Sequence, residues 1–574
     1  MITWGGILIE EEFLIKTNTF GKTLEEKEFS EEEKIVLTHF FTNIDKNIYA
    51  ATDNMPSSLW ALLEGGYSRS KLSMRERFLR IFSEMQEEYE EGKLSKEELI
   101  TISNFAEQIK SGGQLNMSSL LSKAEKFMRK WAVQYGHSSL KDSDVVRFAI
   151  ENVSQFIVNP IEETKLGAFQ EKSTRYVEFT REHLVVPTDL KDFEQDIRSW
   201  NNLLISSYEE SMPIVKEFIA NKLNKDEFKT EAAFNRTVNA KAFDIVRYFI
   251  PNTMLTSLGV VLPTREAERH ISRLLSDARK EMRSVGRALL EEGKKISPGL
   301  LSHVAVNEYY VKRRTAMDQL QSKIELTKAK YEIGRKDSSV KLINITTDME
   351  ARIAAGILFE HNNNANGYLH YLNLCLKDKN LIKITLKNYL ESRSGFDEFP
   401  LATEIGSMMF DITMDFGAYR DLMRHRRNLF LCSSITAELG YEYPEFVENN
   451  EELIKVKEKF DYCAEITKEL HLKIKNKFPH LAGYVVMFAN KQQMLWQMDP
   501  RQLAYIAELR TTPAGHYSYR HICQKMFKIV QEHMPTLCDY INVDLSSGEE
   551  GRKKQEERTV EKLKNIGANL EKVD

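Results

Sequence analysis

The chain has 574 residues, 42% of them hydrophobic and 29% charged, with 80 Lys and Arg against 85 Asp and Glu for a net charge of −5. That balance excludes a mostly disordered chain, and an acidic total excludes binding nucleic acid by bulk charge, so a phosphate site has to come from a local cluster. The length allows three or four ordinary domains, and 26 Gly with 13 Pro fall well under the roughly 12% combined share of an average chain, which favours helices.

Met1–Lys16 mixes Ile and Leu with Glu10, Glu11 and Glu12. This is unlike a basic region followed by an apolar one, so no secretory signal is expected. No run of 18 apolar residues occurs, so no membrane-spanning helix is expected. The cysteines Cys375, Cys432, Cys463, Cys523 and Cys538 include no CxxC pair. The expectation is a cytoplasmic protein without disulfides or a cysteine-type zinc site.

Residues 1–35 are acidic and read as a leader with a strand and a turn. From Glu31 to Gln134 the pattern is helical, as in Arg75, Phe78, Leu79, Ile81, Phe82 and Met85. Ser111-Gly112-Gly113 predicts a loop ahead of a helix over Leu120–Trp131. Residues 144–160, with Val145, Val146, Phe148, Ile150 and Val153, fit a strand or a buried helix, and periodicity does not choose. Long helices are predicted at roughly 190–223, 238–250 and 264–292, with a turn at Ser297-Pro298-Gly299. A basic helical connector spans 301–337 and carries Lys312, Arg313, Arg314, Lys323, Lys328 and Lys330, whose plainest reading is a solvated face. Val340 to Ile345 predicts a strand, followed by a helix from about 348, an Asn-rich loop His361–Gly367 and a helix Gly367–Leu376. The tail 546–574 is nearly half charged and reads as a frayed or interaction helix.

The strongest chemical signal is Tyr419-Arg420-Asp421-Leu422-Met423-Arg424-His425-Arg426-Arg427. It reads as the close of an amphipathic helix with apolar Ile405, Met409, Ile412, Phe416 and Met423. On such a helix Arg420 and Arg424, four apart, share a face. Guanidinium groups stay charged, and their fork matches phosphate oxygens. Ser434 follows in a loop with Cys432 and Ser433, where hydroxyls and amides suit a phosphate. The plain alternative is a solvated helix end whose arginines offset the helix dipole. A nucleic-acid patch is a third reading, weakened by the acidic surroundings.

Arg424-His425-Arg426, seven residues, then Ser434 resembles the RHR-x7-S signature of the flavin-dependent thymidylate synthases. Arg420 is similar to an arginine the family often has four residues earlier. Glu404 matches an acidic position after the family's Gly-His turn, although Glu398-Phe399 stands in place of the Gly-His pair. Trp496 to Arg510, with Arg501 and Leu509 in place, resembles the W-x-x-N-A-R-S-L-x-x-F-L-x-L-R helix, and Gly515 to Arg520 resembles A-Q-W-E-I-R. Order and spacing agree across roughly 338–540.

The first half resembles the same family a second time. Gly136-His137-Ser138-Ser139 to Asp142 is similar to its GH-x-[ST]-x-x-E turn. Glu163-Thr164-Lys165, seven residues, then Ser173-Thr174-Arg175-Tyr176 is similar to RHR-x7-S-x-R-Y with the triplet replaced. Arg247 to Pro251 resembles A-R-x-x-L-P, where the second half has Gly483 for the arginine and Met487 for the proline. Arg265 is similar to the arginine of N-A-R, and Arg273 matches the last helix arginine only with a one-residue shift. The expected fold is therefore α+β: two tandem flavin-dependent-thymidylate-synthase-like domains, helix-rich with a small antiparallel sheet in each. The expected boundaries are 36–300 and 338–545.

The resemblance implies reductive methylation of dUMP to dTMP, with FAD as cofactor and methylenetetrahydrofolate and NADPH as co-substrates. It implies dUMP contacts from Ser173, Arg175, Arg247, Arg424, Ser434 and Arg510, with Arg510 as the catalytic group. It implies FAD contacts from Ser139, Glu404, Arg424, His425, Arg426 and Arg501, and no metal. Asp421 stands where the family often has a base-reading glutamine, and a carboxylate cannot donate to a uracil carbonyl. Family homotetramers imply self-association of a tandem chain as a homodimer. Cys432 reads as a small buried hydrophobe rather than a nucleophile, and His361, His370, His471 and His480 as structural or surface residues. A flavin- or nucleotide-binding homologue without turnover is the alternative, and a helical nucleic-acid binder using the connector is the third.

Overall fold

The computed structural model describes residues 14–16, 28–112 and 145–547, apart from most of 56–69, parts of 297–303, all of 322–338 and the single positions 176, 229 and 396; between 113 and 144 it describes 117 and 120. The predicted helix Leu120–Trp131, the Gly136–Asp142 turn, and most of the leader and tail lie outside these residues.

Two compact units divide the chain. The first is made of the described residues of 1–202 and 251–329 together with Ile474–Tyr484, and the second of Leu203–Ile250 with the described residues of 330–473 and 485–574. Each unit thus contains a segment from the other half of the sequence.

The first unit is built on a four-stranded antiparallel sheet in the order Ile48–Ala50, Val145–Ser154, Leu255–Pro263, Ala168–Glu171. Residues 144–160 therefore resolve into a strand and then the helix Gln155–Glu162. The strand is bulged between Ile150 and Val153, where Asn152 takes a positive φ of 56°, a conformation asparagine tolerates better than β-branched residues. The stretch predicted as wholly helical from Glu31 contains the strand Ile48–Ala50, whose residues are all buried. Three residues are too few to register as a period. Helices Glu31–Phe40 and Met74–Glu90 both start with a capping box, from Ser30 and Ser73, and pack Phe40 and Phe78 into one apolar core with Phe105 of the helix Ile102–Lys110. The helix predicted at 264–292 is two, Thr264–Leu275 and Lys280–Ile296. They part at Asp277, which takes the backbone amide and the guanidinium of Arg279.

The second unit repeats the sheet, with the order Ser339–Ile345, Met408–Asp415, Lys491–Met498, Leu429–Cys432, all antiparallel. The first, second, fourth, third order is the same in both units. Helices Met349–Glu360, Tyr368–Lys377, Pro500–Arg510 and Tyr517–His533 belong to this unit.

The amphipathic helix expected over Ile405–Met423 is instead a strand followed by a helix of seven residues, Phe416–Leu422. The buried set Met408, Phe410, Ile412 and Met414 alternates with period two, as a strand requires; Ile405, Met409, Ile412 and Phe416 mimic a helical spacing by coincidence. Glu404 accordingly sits in a single 3-10 turn, Leu401–Glu404. Arg424 lies beyond the end of the short helix, so it does not share a helical face with Arg420. Cys432 is exposed, not buried, because Leu429–Cys432 pairs along one side only. No helix among the described residues is long and apolar enough to cross a membrane, and no group of three or more His, Cys, Asp or Glu among them is arranged to hold a metal ion.

Candidate functional site

The arginine cluster stands where the strand Met408–Asp415 turns into the helix Phe416–Leu422, in the second unit. Asp415 ends the strand and caps the helix, its Oδ1 accepting from the Ala418 amide at 2.7 Å. Its other oxygen accepts from Ser518 Oγ, and the carboxyl is fully buried. Burial pushes the Asp415 carboxyl up, opposed by the hydrogen bonds from Ser518 and the Ala418 amide and by the Arg247 charge.

Arg247 opens the 3-10 turn Arg247–Phe249 and is 2% exposed. Its Nη2 lies 3.4 Å from Asp421 Oδ2. Gly417, the second residue of the short helix, leaves the room: a Cβ there would sit 3.3 Å from that same Nη2. Tyr248 follows, stacked on His516 and Tyr517, with its hydroxyl 3.1 Å from that of Tyr517.

His425 is buried, and Arg510 Nε donates to its Nε2 at 2.7 Å. Burial first, then the Arg510 charge, hold the imidazole well below its ordinary pKa. It is therefore neutral, with Nε2 free of a proton and acting as acceptor. Arg424 and Arg426 flank it, both half-buried. Arg420 is 7% exposed, and its guanidinium covers the ring of Phe488 at 4.6 Å. Arg501 binds Glu404 at 2.7 Å and Glu398 at 2.5 Å, which joins two of the predicted residues directly. Glu398 is one of the residues in place of the family's Gly-His pair. Ser434 is exposed in the loop after Leu429–Cys432. Ser173 and Arg175 belong to the first unit, where the Arg175 amide donates to Ser173 Oγ at 3.3 Å. Ser139 and the Arg265 side chain lie outside the described residues.

The first unit repeats this junction with its chemistry exchanged. Ser154 ends its strand, and Glu281, the second residue of helix Lys280–Ile296, accepts from the Ser154 amide at 2.8 Å and hydroxyl at 2.7 Å. In the second unit the acid, Asp415, is on the strand and the serine, Ser518, is second in the helix Tyr517–His533. Tyr484 donates to Glu281, as Tyr248 meets Asp415. The residue before Tyr484 is Gly483, where the second unit has Arg247. Phe156, second in its helix like Gly417, fills the space: a Cβ on Gly483 would collide with its ring. Beyond the helix, Arg273 binds Glu163 and the Pro160 carbonyl, each at 2.7 Å, and Thr164 Oγ1 lies 2.9 Å from His270 Nδ1. The guanidinium is thus held by the carboxylate that stands first in the replaced triplet.

Chemically, the second unit gathers several guanidiniums with a neutral imidazole, an arrangement that holds phosphate oxygens and stabilises developing negative charge. The His425 ring lies 6.2 Å from that of Trp496, which in turn stacks on Phe430. Asp415, Gly417, Tyr248, Tyr517 and Ser518 were not foreseen. The one available signal was an aspartate directly before an apolar helix start, hidden by reading the preceding strand as helix.

Each unit thus has a thymidylate-synthase-like fold, and the second holds a cationic site. The pattern of the Thy1 family, described as thymidylate synthase complementing protein, matches residues 74–299 and 342–536. The chain belongs to this flavin-dependent thymidylate synthase family as a duplicated, divergent member. It is 29% identical over 558 residues to a UPF0159 protein of Chlamydia muridarum, covering 93% of this chain and 99% of that protein. It is 23% identical over 453 residues to UPF0159 protein Ta1429 of Thermoplasma acidophilum, covering 73% and 88%. Among solved structures it is similar to the UMP/dUMP methylase PolB of Streptomyces cacaoi bound with 5-Br dUMP, at 17% identity and a TM-score of 0.30, covering 36% of this chain and 95% of that one.

Proposed function

We propose that the protein is an FAD-dependent thymidylate synthase working from its second unit. It would methylate dUMP to dTMP with methylenetetrahydrofolate as carbon donor and NADPH as reductant. The observation that carries this reading is the company of Arg247. It comes from the first sequence half, yet belongs to the unit of Arg424, His425, Arg426 and Arg510. The arginine that the second half lacks at Gly483 is thereby supplied by the first.

Arg247, Arg424 and Ser434 hold the dUMP phosphate. Arg510 faces the pyrimidine and stabilises negative charge as C5 is activated. The neutral His425 accepts from Arg510 Nε and so fixes the guanidinium plane. Arg424, His425, Arg426, Arg501 and Glu404 hold FAD. Bound FAD supplies hydride transfer, for which no amino-acid side chain is equipped. A homodimer, equivalent to four family-sized units, and a cytoplasmic location complete the proposal; neither a membrane nor nucleic acid has a part in it.

The test is tritium release from 5-labelled dUMP, dependent on FAD, NADPH and methylenetetrahydrofolate. Release with all three supports the synthase, and none at saturation removes it. The carboxylate on Arg247 favours a second reading, a flavin- or nucleotide-binding homologue without turnover; a yellow protein that binds dUMP and releases no tritium would establish it.

A further inference from the structure

Two carboxylates approach Arg247, and they differ in what else they do. Asp415 is fully buried, caps the helix Phe416–Leu422 and accepts from Ser518, so displacing it would undo the strand–helix junction. Asp421 lies in the last turn of that helix, and its side chain is 23% exposed while that of Arg247 is 3% exposed. Its contact with Nη2, at 3.4 Å, is long for a charge-assisted hydrogen bond. The Asp421 charge also acts on His425, against those of Arg510 and Arg426. Asp421 is therefore an anion within a group of cations, reaching Arg247 by a long contact and open in part to solvent.

We propose that Asp421 is a built-in competitor for the phosphate site: it occupies Arg247 until a phosphate dianion displaces it. This rests on reading the second unit as a nucleotide site. A phosphate brings up to two charges and three acceptor oxygens against the single charge of a carboxylate, so it can win the guanidinium where a nucleoside cannot. The carboxylate thus makes the site selective for the phosphorylated form, and it balances the buried Arg247 charge in the absence of ligand.

The test compares the full chain with Asp421→Leu, which keeps the size, removes the charge and, unlike asparagine, cannot donate to a uracil carbonyl, by calorimetric titration with inorganic phosphate, dUMP and deoxyuridine. Removing the competing charge should tighten phosphate and dUMP by about three- to ten-fold, the range of a partly exposed ion pair, and leave deoxyuridine unchanged. Weaker or unchanged dUMP binding overturns the proposal, as does equal tightening of deoxyuridine or no dUMP binding by either protein. The tritium assay separates the two readings: selective tightening without tritium release removes the synthase and leaves the competitor standing, whereas release without selective tightening does the reverse.

Discussion

The ring of Phe156 occupies the space that a side chain on Gly483 would need. In the second unit the counterpart pair is Gly417 and Arg247, small on the helix and large on the turn. Volume is conserved at the junction while charge is not. One unit keeps a buried cation, and the other has exchanged it for an aromatic plug.

Gly483→Ala is expected to destabilise the protein by about 1–3 kcal/mol, as overpacking in a filled core does. Phe156→Leu in the same chain should recover much of that loss. Urea unfolding of the two single variants and the double variant reads the coupling; strictly additive effects would mean that the two side chains do not compete for one space.

Arg510→Ala should lower turnover by about 10²–10³-fold, the cost of losing one preorganised donor to a developing anion, while much of the FAD stays bound. It should also raise the His425 pKa, since Arg510 is one of the charges holding it down. Flavin absorbance, tritium release and imidazole NMR titration report the three effects separately, and full activity in this variant would show that the catalytic role belongs elsewhere.

Asp415→Ala removes a helix cap and leaves Ser518 without its buried acceptor, a combined loss of about 2–3 kcal/mol. Asp415→Asn should cost less, because its amide oxygen can still cap Ala418. Thermal melts of the two variants should fall in that order, and equal losses would argue that charge, not capping, is what Asp415 provides.

Acid should destabilise the fold through two buried histidines. Burial, helped by the Arg273 charge, pushes His270 down from 6.5 to about 3, and His425 is also well below its ordinary value. With the folded pKa depressed, the unfolded chain binds the extra proton. Stability is therefore complete above about 6.5 and falls toward pH 3, by up to about 1.4 kcal/mol per unit for each group. His270→Asn should flatten this limb of a stability–pH curve measured with urea; an unchanged slope would mean that His270 already carries its proton in the fold.

Much of this was legible in the residues. The duplication, the Arg424-His425-Arg426 triplet and the helix ending in Arg510 are local patterns, although that helix starts only at Pro500 and Trp496 belongs to the strand Lys491–Met498. The strand Met408–Asp415 was not legible, because eight residues with methionines on both faces satisfy a helical and an extended period alike. The buried acid at the junction escaped for the same reason, since its cap cannot be recognised until the strand before it is.

Sequence alone determined that the chain carries two related copies and that each lacks part of the family's set. Composition, spacing and motif order are properties of neighbouring residues and survive without coordinates. Only the tertiary structure decided which copy completes which unit, bringing Arg247 to Asp421 across 174 positions and Gly483 to Phe156. Those pairings depend on complementary volume and charge between distant segments, which leave no period in the sequence.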